Sequence, residues 1–245
     1  MTWETMRPLL ETATGETLLM VAWSTLLAVL GGVPLGVLLV LTDRGGALAN
    51  AAVNRILGAV VNLGRSLPFI ILLFTLIPLT KAVMGLTTGT ATFIGTQAMI
   101  VPLSVGAIPF YARLVETSVR EVDRGLVEAV QSMGGSTWTV VRKVLLPQSL
   151  PSLTAGATTT VIALIGYSAM AGVVGGGGLG NLAYTYGYQR FETGLMTATV
   201  AALIALVAAI QLLGDLAVRR LARTGAPAPV RRPRPRLPRL RKAAP

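Results

Sequence analysis

The chain of 245 residues is 53% hydrophobic and only 13% charged, a make-up that belongs to membrane proteins and excludes an ordinary water-soluble domain. Its net charge of +11 invites a nucleic-acid reading, but ten of the 21 basic residues lie between Arg219 and Lys242, so the body is near neutral and the charge is a tail. With no cysteine and no histidine, disulfides, thiol redox chemistry and His-type zinc or copper sites are excluded, and the commonest general base is missing.

Met1 to Thr17 carries Glu4, Arg7, Glu11 and Glu16, with Trp3 suited to an interface. It reads as a short amphipathic lead-in. The acids, and the length of the apolar run that follows, argue against a signal peptide. Leu18 to Leu41 holds no charge in 24 residues, enough to cross ~30 Å of hydrocarbon. Gly31, Gly32, Pro34 and Gly36 cluster in its second half, where they either kink a helix or let a neighbouring backbone approach. Asp43 to Gly46 is a turn. The second span is expected from about Ile56 to Leu79, with Pro68 and Pro78 inside it and Lys81 after it. Arg65 reads as a residue snorkelling to the interface. Gly85 to Thr96 reads as loop with a short helical piece. Gln97 to Ala112 belongs to a third span, broken or tilted by Pro102 and Pro109 and ending near Arg113 and Glu116. Glu116 and Arg120 stand at i and i+4, a spacing that pairs them at the membrane surface.

Glu121 to Pro151 is amphipathic and charged, unlike the runs on either side. Leu126, Val127, Val130 and Met133 recur at helical spacing, and Asp123 is placed to cap them. Gly134-Gly135 breaks this helix. Ser136 caps a second one carrying Trp138, Val141, Val144 and Leu145, with Arg142 and Lys143 near its end and Pro147 as its stop. The simplest reading of the pattern is a solvated loop between spans.

Leu153 to Val174 is the fourth span. Thr154, Ala155, Thr158, Gly166 and Ala169 permit close helix contacts, and small polar residues also suit a wet pathway. Gly175 to Gly180 satisfies G-x-G-x-x-G at Gly175, Gly177 and Gly180. A dinucleotide site is rejected, because no strand precedes it; a flexible loop at the membrane surface is expected. Tyr184, Tyr186 and Tyr188 fit an interfacial belt. Gly194 to Leu213 is the fifth span, followed by Asp215 and Arg219. The domain plan is a lead-in over 1–17, a transmembrane unit over 18–218 and a disordered basic tail over 219–245. The tail's arginines suit an anionic leaflet, and no aromatics interleave with them as in a nucleic-acid binder.

Basic residues near the span ends set the orientation. With the C-terminus inside, the inner segments hold Arg44, Arg55, Arg113, Arg120, Arg124, Arg142, Lys143 and the tail. The outer ones hold Arg7, Lys81 and Arg190. Five spans then put the N-terminus outside and Glu121 to Pro151 in the cytoplasm. No G-x-x-x-x-G-K-[ST] sequence is present, so any ATP-driven work uses a partner's engine. Five helices enclose little by themselves, and a C2 homodimer gives ten. Two other classes compete. A passive channel or secondary transporter lacks support, since no Asp or Glu lies mid-span; a scaffold using its tail is the third. A neighbouring P-loop ATPase and secreted binding protein would discriminate them.

Glu128-Ala129-Val130, three residues, Gly134, nine residues, Val144, one residue, Leu146-Pro147 resembles the EAA signature of ABC-importer permeases, departing from it only in Val130. The resemblance implies a coupling helix that docks in a groove of a separate ATPase subunit. Arg65 to Leu73, Val101 to Phe110, Val141 to Pro147, Gly166 to Gly172 and Gly176 to Tyr188 further resemble the permeases of bacterial methionine importers, over roughly Leu18 to Arg219. That family implies an all-α membrane fold of type I importer architecture. It also implies a homodimer in the inner membrane, two ABC ATPase subunits that bind the ATP, and an extracytoplasmic methionine-binding protein. It implies no catalytic, metal or cofactor residue in this chain. Expected coupling residues are Glu128, Ala129, Gly134, Val144, Leu146 and Pro147. Glu128 meets a basic or hydrogen-bonding group, Ala129 keeps the surface low, and Gly134 permits the turn. Tyr167, Ser168 and Met170 are candidate pathway residues, with Met170 either narrowing the pore or packing between helices. The substrate, D- and L-methionine or another small amino acid, rests on the resemblance alone.

Overall fold

Forty consecutive residues, Trp3–Thr42, form one helix, α1. The lead-in and the first span are therefore a single rod. Met6, Leu9, Leu10 and Ala13 hold its beginning in place against Leu179, Leu182 and Leu195, which is why the lead-in does not fray. The computed structural model describes residues 2–225, and these contain helices and no strand.

The glycine cluster in α1 serves close approach. A Cβ on Gly36 would sit 2.5 Å from the carbonyl oxygen of Ala112, so only glycine lets α1 lie against α5 (Thr96–Arg120). Pro102 and Pro109 are buried inside α5, which stays helical over 25 residues. Of the two forms expected for the third span, broken or tilted, the break is absent, because backbone groups freed by a membrane proline are re-satisfied by small local adjustments.

The second span is the one that breaks. It consists of α2 (Ala51–Ser66), α3 (Phe69–Thr75) and α4 (Ile77–Thr88), and α2 and α3 meet at 107°. Pro68 is the cause. It forces Leu67 out of the helical region, to φ −78°, ψ 129°. The second span expected from about Ile56 to Leu79 is thus a bent one. Four helices among the described residues are long and apolar enough to cross a membrane, and the α2–α3 pair makes a fifth crossing if counted as one.

After α5 come α6 (Arg124–Ser132), α7 (Thr137–Val140), a π-helical turn over Val141–Leu145 and α8 (Leu146–Val173). Thr137 to Val173 is one helix of 37 residues, so Pro147 does not stop it. Pro147 sits in the first turn of α8, just after the wide π turn, where a missing N–H costs little. The Ser149 hydroxyl donates to the Leu145 carbonyl at 2.7 Å there.

The glycine-rich stretch is packed, contrary to the flexible loop expected. Gly176, Gly178 and Gly180 are buried. The N–H of Gly95 donates to the Gly175 carbonyl at 3.0 Å. The N–H of Gly178 donates to Glu16 Oε2 at 2.6 Å, and that of Leu179 to Thr17 Oγ1 at 2.9 Å. Lacking side chains, the stretch folds backbone against backbone; a Cβ on Gly180 would collide with the Ala169 carbonyl oxygen. A short α9 (Gly178–Leu182), a π-helical Ala183–Gln189 and α10 (Thr193–Gly225) follow. In the π segment Tyr184 stacks on Tyr188, and Arg190 lies over Tyr186. α10 continues past the expected boundary at 219; the arginine-rich tail beyond Gly225 lies outside the described residues.

The bundle therefore has two ends. Glu16, Gly95 and the glycine stretch mark one. Asp43, Arg120 and the α6–α7 elbow mark the other.

Candidate functional site: the elbow and the helix it drives

The elbow is built from local rules. Asp123 Oδ1 accepts from the Gly125 N–H at 2.8 Å and starts α6. Its end is a tight reversal: the Gly134 N–H donates to Gln131 O and the Gly135 N–H to Val130 O, both at 2.9 Å. Gly134 has φ +78°, a region closed to most L-residues and open to glycine. Ser136 then caps α7 by accepting from the Thr139 N–H.

The side chains sort into two faces. Val122, Val127 and Val130 pack on Val140, Val141 and Leu145, tying the elbow to the bundle. Glu128, Ala129, Ser132 and Gly134 face out. Met133 and Trp138 join them, 78% and 68% exposed. Sequence reasoning counted these two as the apolar side of their helices and missed them as surface. The signal available was their place on a charged segment outside the hydrocarbon, where a large exposed apolar group marks a protein contact. The six expected coupling residues also divide. Glu128, Ala129 and Gly134 lie on the outer surface. Val144 is buried and Leu146 half-buried, and with Pro147 they belong to the junction with α8.

Charge holds the elbow's root. Glu116, only 5% exposed, accepts from Arg113 Nη1 at 2.6 Å and from Arg120 Nη2 at 2.8 Å, and Arg120 Nη1 reaches Asp43 Oδ2 at 2.7 Å. The predicted Glu116–Arg120 pair is thus part of a chain of four residues joining the ends of α1 and α5. The Arg120 hydrogen bond, followed by that from the Arg44 N–H, holds the Asp43 carboxyl below its ordinary pKa range. A cleft of about 360 Å³ opens beside this network, lined by Asp43, Arg44, Arg120, Arg124, Glu128 and Gln131 among others. The elbow is therefore anchored along one side and free along the other.

Tyr167, Ser168 and Met170 lie far along α8, toward the other end, and are not brought to the elbow. Tyr167 stacks on Phe69 of α3 with ring centroids 4.8 Å apart. The Ser168 hydroxyl is buried and donates to Ile165 O at 2.8 Å. Met170 is 40% exposed, on a face it shares with Ala155, Thr159 and Gly166. Of the three, Met170 is the one whose side chain can meet something outside this protomer.

Residues 32–224 match the family described as binding-protein-dependent transport system inner membrane component. The chain is 52% identical over 213 residues to the probable D-methionine transport system permease protein MetI of Vibrio cholerae, covering 87% of this chain and 92% of that one. It is 47% identical over 179 residues to the methionine import system permease protein MetP of Bacillus subtilis, covering 73% and 78%. Among solved structures, an inward-facing conformation of the MetNI methionine ABC transporter superposes with a TM-score of 0.85 at 46% identity, over 90% of this chain and 99% of that one. A second structure, of an amino acid ABC transporter, shares the fold with a TM-score of 0.70 at 18% identity.

Proposed function

The chain belongs to the binding-protein-dependent transport system inner membrane component family, and from this premise we propose that it is the membrane-spanning permease of an ABC importer that moves methionine into the cell. The observation that carries the reading is the elbow. It presents Glu128, Ala129, Gly134, Met133 and Trp138 as a low, partly apolar surface at the end of a helix that continues unbroken to Met170. Such a surface is a socket for a motor carried on another chain.

In this mechanism the permease works as a dimer with ATPase subunits seated on the elbows. Glu128 offers a carboxylate to a donor in the ATPase groove, and Gly134 lets the chain reverse within that groove. Force applied to the elbow passes through Val127 and Val130 to the α7–α8 rod. Met170 from each protomer narrows the pathway at the rod's far part. An extracytoplasmic binding protein delivers methionine at the end marked by the glycine stretch. The distribution of basic residues supports this orientation: Arg44, Arg113, Arg120, Arg124, Arg142 and Lys143 gather at the elbow end, while Arg7, Lys81 and Arg190 lie at the other. The ATPase end therefore faces the cytoplasm.

The test is uptake of labelled methionine by proteoliposomes holding the permease, its ATPase and the binding protein, with unlabelled amino acids as competitors. ATP-dependent uptake that D- or L-methionine competes for, and other amino acids do not, is the expected result. Uptake that needs no ATPase refutes the reading.

A further inference from the structure

We propose that the bend between α2 and α3 lies on the wall of the translocation pathway and that the Arg65 guanidinium there receives the carboxylate of the amino acid in transit. This rests on the importer reading and assigns it a residue.

The first observation is depth. Gly64 lies so close to α5 that a Cβ on it would come within 2.8 Å of the Pro109 ring. Pro109 is seven residues from Glu116 along α5, about 10 Å further into the bundle at 1.5 Å per residue. Arg65, the next residue, is thus well inside the layer where Glu116, Arg120 and Asp43 collect the surface charge.

The second is solvation. Arg65 is exposed on the protomer and makes no hydrogen bond or ion pair among the described residues. A bare cation facing hydrocarbon at that depth is costly, and such residues face protein or a watery cavity. The third is independent of charge. Leu67 and Pro68 are exposed and Leu67 is not helical. Irregular backbone at membrane depth is tolerated against protein or water and not against lipid. Both requirements fall on the same few residues, and a wet wall meets both.

The bend also sits beside the exposed face of α8, since Phe69 stacks on Tyr167 and Met170 follows one turn on. The wall therefore pairs a cation with an apolar lane, the two features that an amino acid with an apolar side chain presents in reverse. No acid of this chain stands at the bend to be the permanent partner: Asp43, Glu121, Asp123 and Glu128 belong to the elbow end, and Glu4, Glu11, Glu16 and Glu192 to the other. Glu116 is engaged by Arg113 and Arg120, and Asp215 accepts from Gln211. A second copy in a C2 dimer supplies only the same side chains. The partner is accordingly an oxyanion that comes and goes. A planar guanidinium binds a carboxylate or a lipid phosphate equally well, and the position beside α8 favours the substrate carboxylate.

The chain has no cysteine, so a single introduced thiol reports cleanly. In proteoliposomes of the full complex, with the wild type treated alongside, methionine uptake per ATP hydrolysed is measured for Arg65→Met, Arg65→Lys and Arg65→Cys. Uptake falls about tenfold or more in the Met and Cys variants, the loss of one charge-assisted pair, and Lys retains most of it. A water-soluble methanethiosulfonate bearing a trimethylammonium group restores the Cys variant several-fold, and one bearing a sulfonate does not. Normal uptake by Arg65→Met overturns the proposal. So does a thiol that neither reagent modifies, which places Arg65 against lipid, or restoration that ignores the sign of the reagent's charge. A wild-type complex that imports no methionine refutes the importer reading instead, and the thiol's reactivity still reports whether the wall is wet.

Discussion

Gly134 offers the sharpest test of the elbow, because the structure separates conformation from contact there. Its φ is +78°, and nothing lies within 4 Å of where a Cβ would stand. Replacement by alanine therefore causes no collision and costs only the left-handed backbone, about 1–2 kcal/mol. That is at least roughly a fivefold loss of the native turn relative to alternatives. Asparagine and aspartate tolerate this region better than alanine, so Gly134→Asn keeps most of the turn. Gly134→Asp has nearly the same backbone preference as Asn and adds a carboxylate at the exposed apex. Burying that unpaired charge in a partner's groove costs about 2 kcal/mol or more, roughly thirtyfold in affinity. The assay is recovery of the ATPase with tagged permease from detergent-solubilised membranes. The expected order of recovery is wild type, Asn, Ala, then Asp, with the Asp variant still inserted in the membrane. Normal recovery with Gly134→Asp would refute the docking role of this surface.

Four further outcomes follow from the geometry. With Met170 narrowing the pathway as proposed, Met170→Ala is expected to raise basal ATP hydrolysis or to lower uptake; a complex unchanged in both would assign Met170 to packing. Arg120→Met leaves Asp43 with only the Arg44 N–H and Glu116 with Arg113 alone. It should destabilise the detergent-solubilised protein by about 2 kcal/mol, read as a lower Tm, and adding Asp43→Asn should cost less than the sum of the two single changes. Because the folded Asp43 carboxyl titrates below its ordinary value, its stabilisation is complete above about pH 4 and is lost as pH falls through the lowered folded value. The Tm gap between wild type and Asp43→Asn should therefore be present at neutral pH and close in acid. Glu16→Ala removes the acceptor for the Gly178 N–H and should loosen the glycine stretch by about 1 kcal/mol, seen as faster amide exchange at Gly178 and Leu179, whereas Glu16→Gln keeps the acceptor and most of the protection.

The elbow was largely legible in the sequence because its rules are local. Asp123 and Ser136 cap the helices on which they were placed, and the reversal falls at Gly134 as the glycine pair required. Four of the five expected spans were legible as single helices and the second was not, because proline obeys its surroundings. Pro68 breaks a helix at a point where α2 and α3 turn sharply, Pro102 and Pro109 sit unbroken in α5, and Pro147 is absorbed by a π turn ahead of it. No single-residue rule separates these cases; the neighbouring helices do. The glycine stretch was misread for a related reason. Glycine signals flexibility only where nothing clasps it, and here Glu16 and Thr17, some 160 residues away in sequence, hold its N–H groups. The outward aim of Met133 and Trp138 likewise depends on which face of the elbow Val127 and Val130 commit to the bundle.

The helix from Thr137 to Val173 has a mechanical consequence. It is 37 residues long, about 55 Å at 1.5 Å per residue, and no linker interrupts it between the elbow and the region of Met170. Such a shaft cannot idle: displacement at one end is displacement at the other, diminished only by what the π turn at Val141–Leu145 absorbs. With an ATPase seated on the elbow, as proposed, tightness of coupling depends on that one turn's stiffness, and softening it would let ATP be hydrolysed without substrate moved.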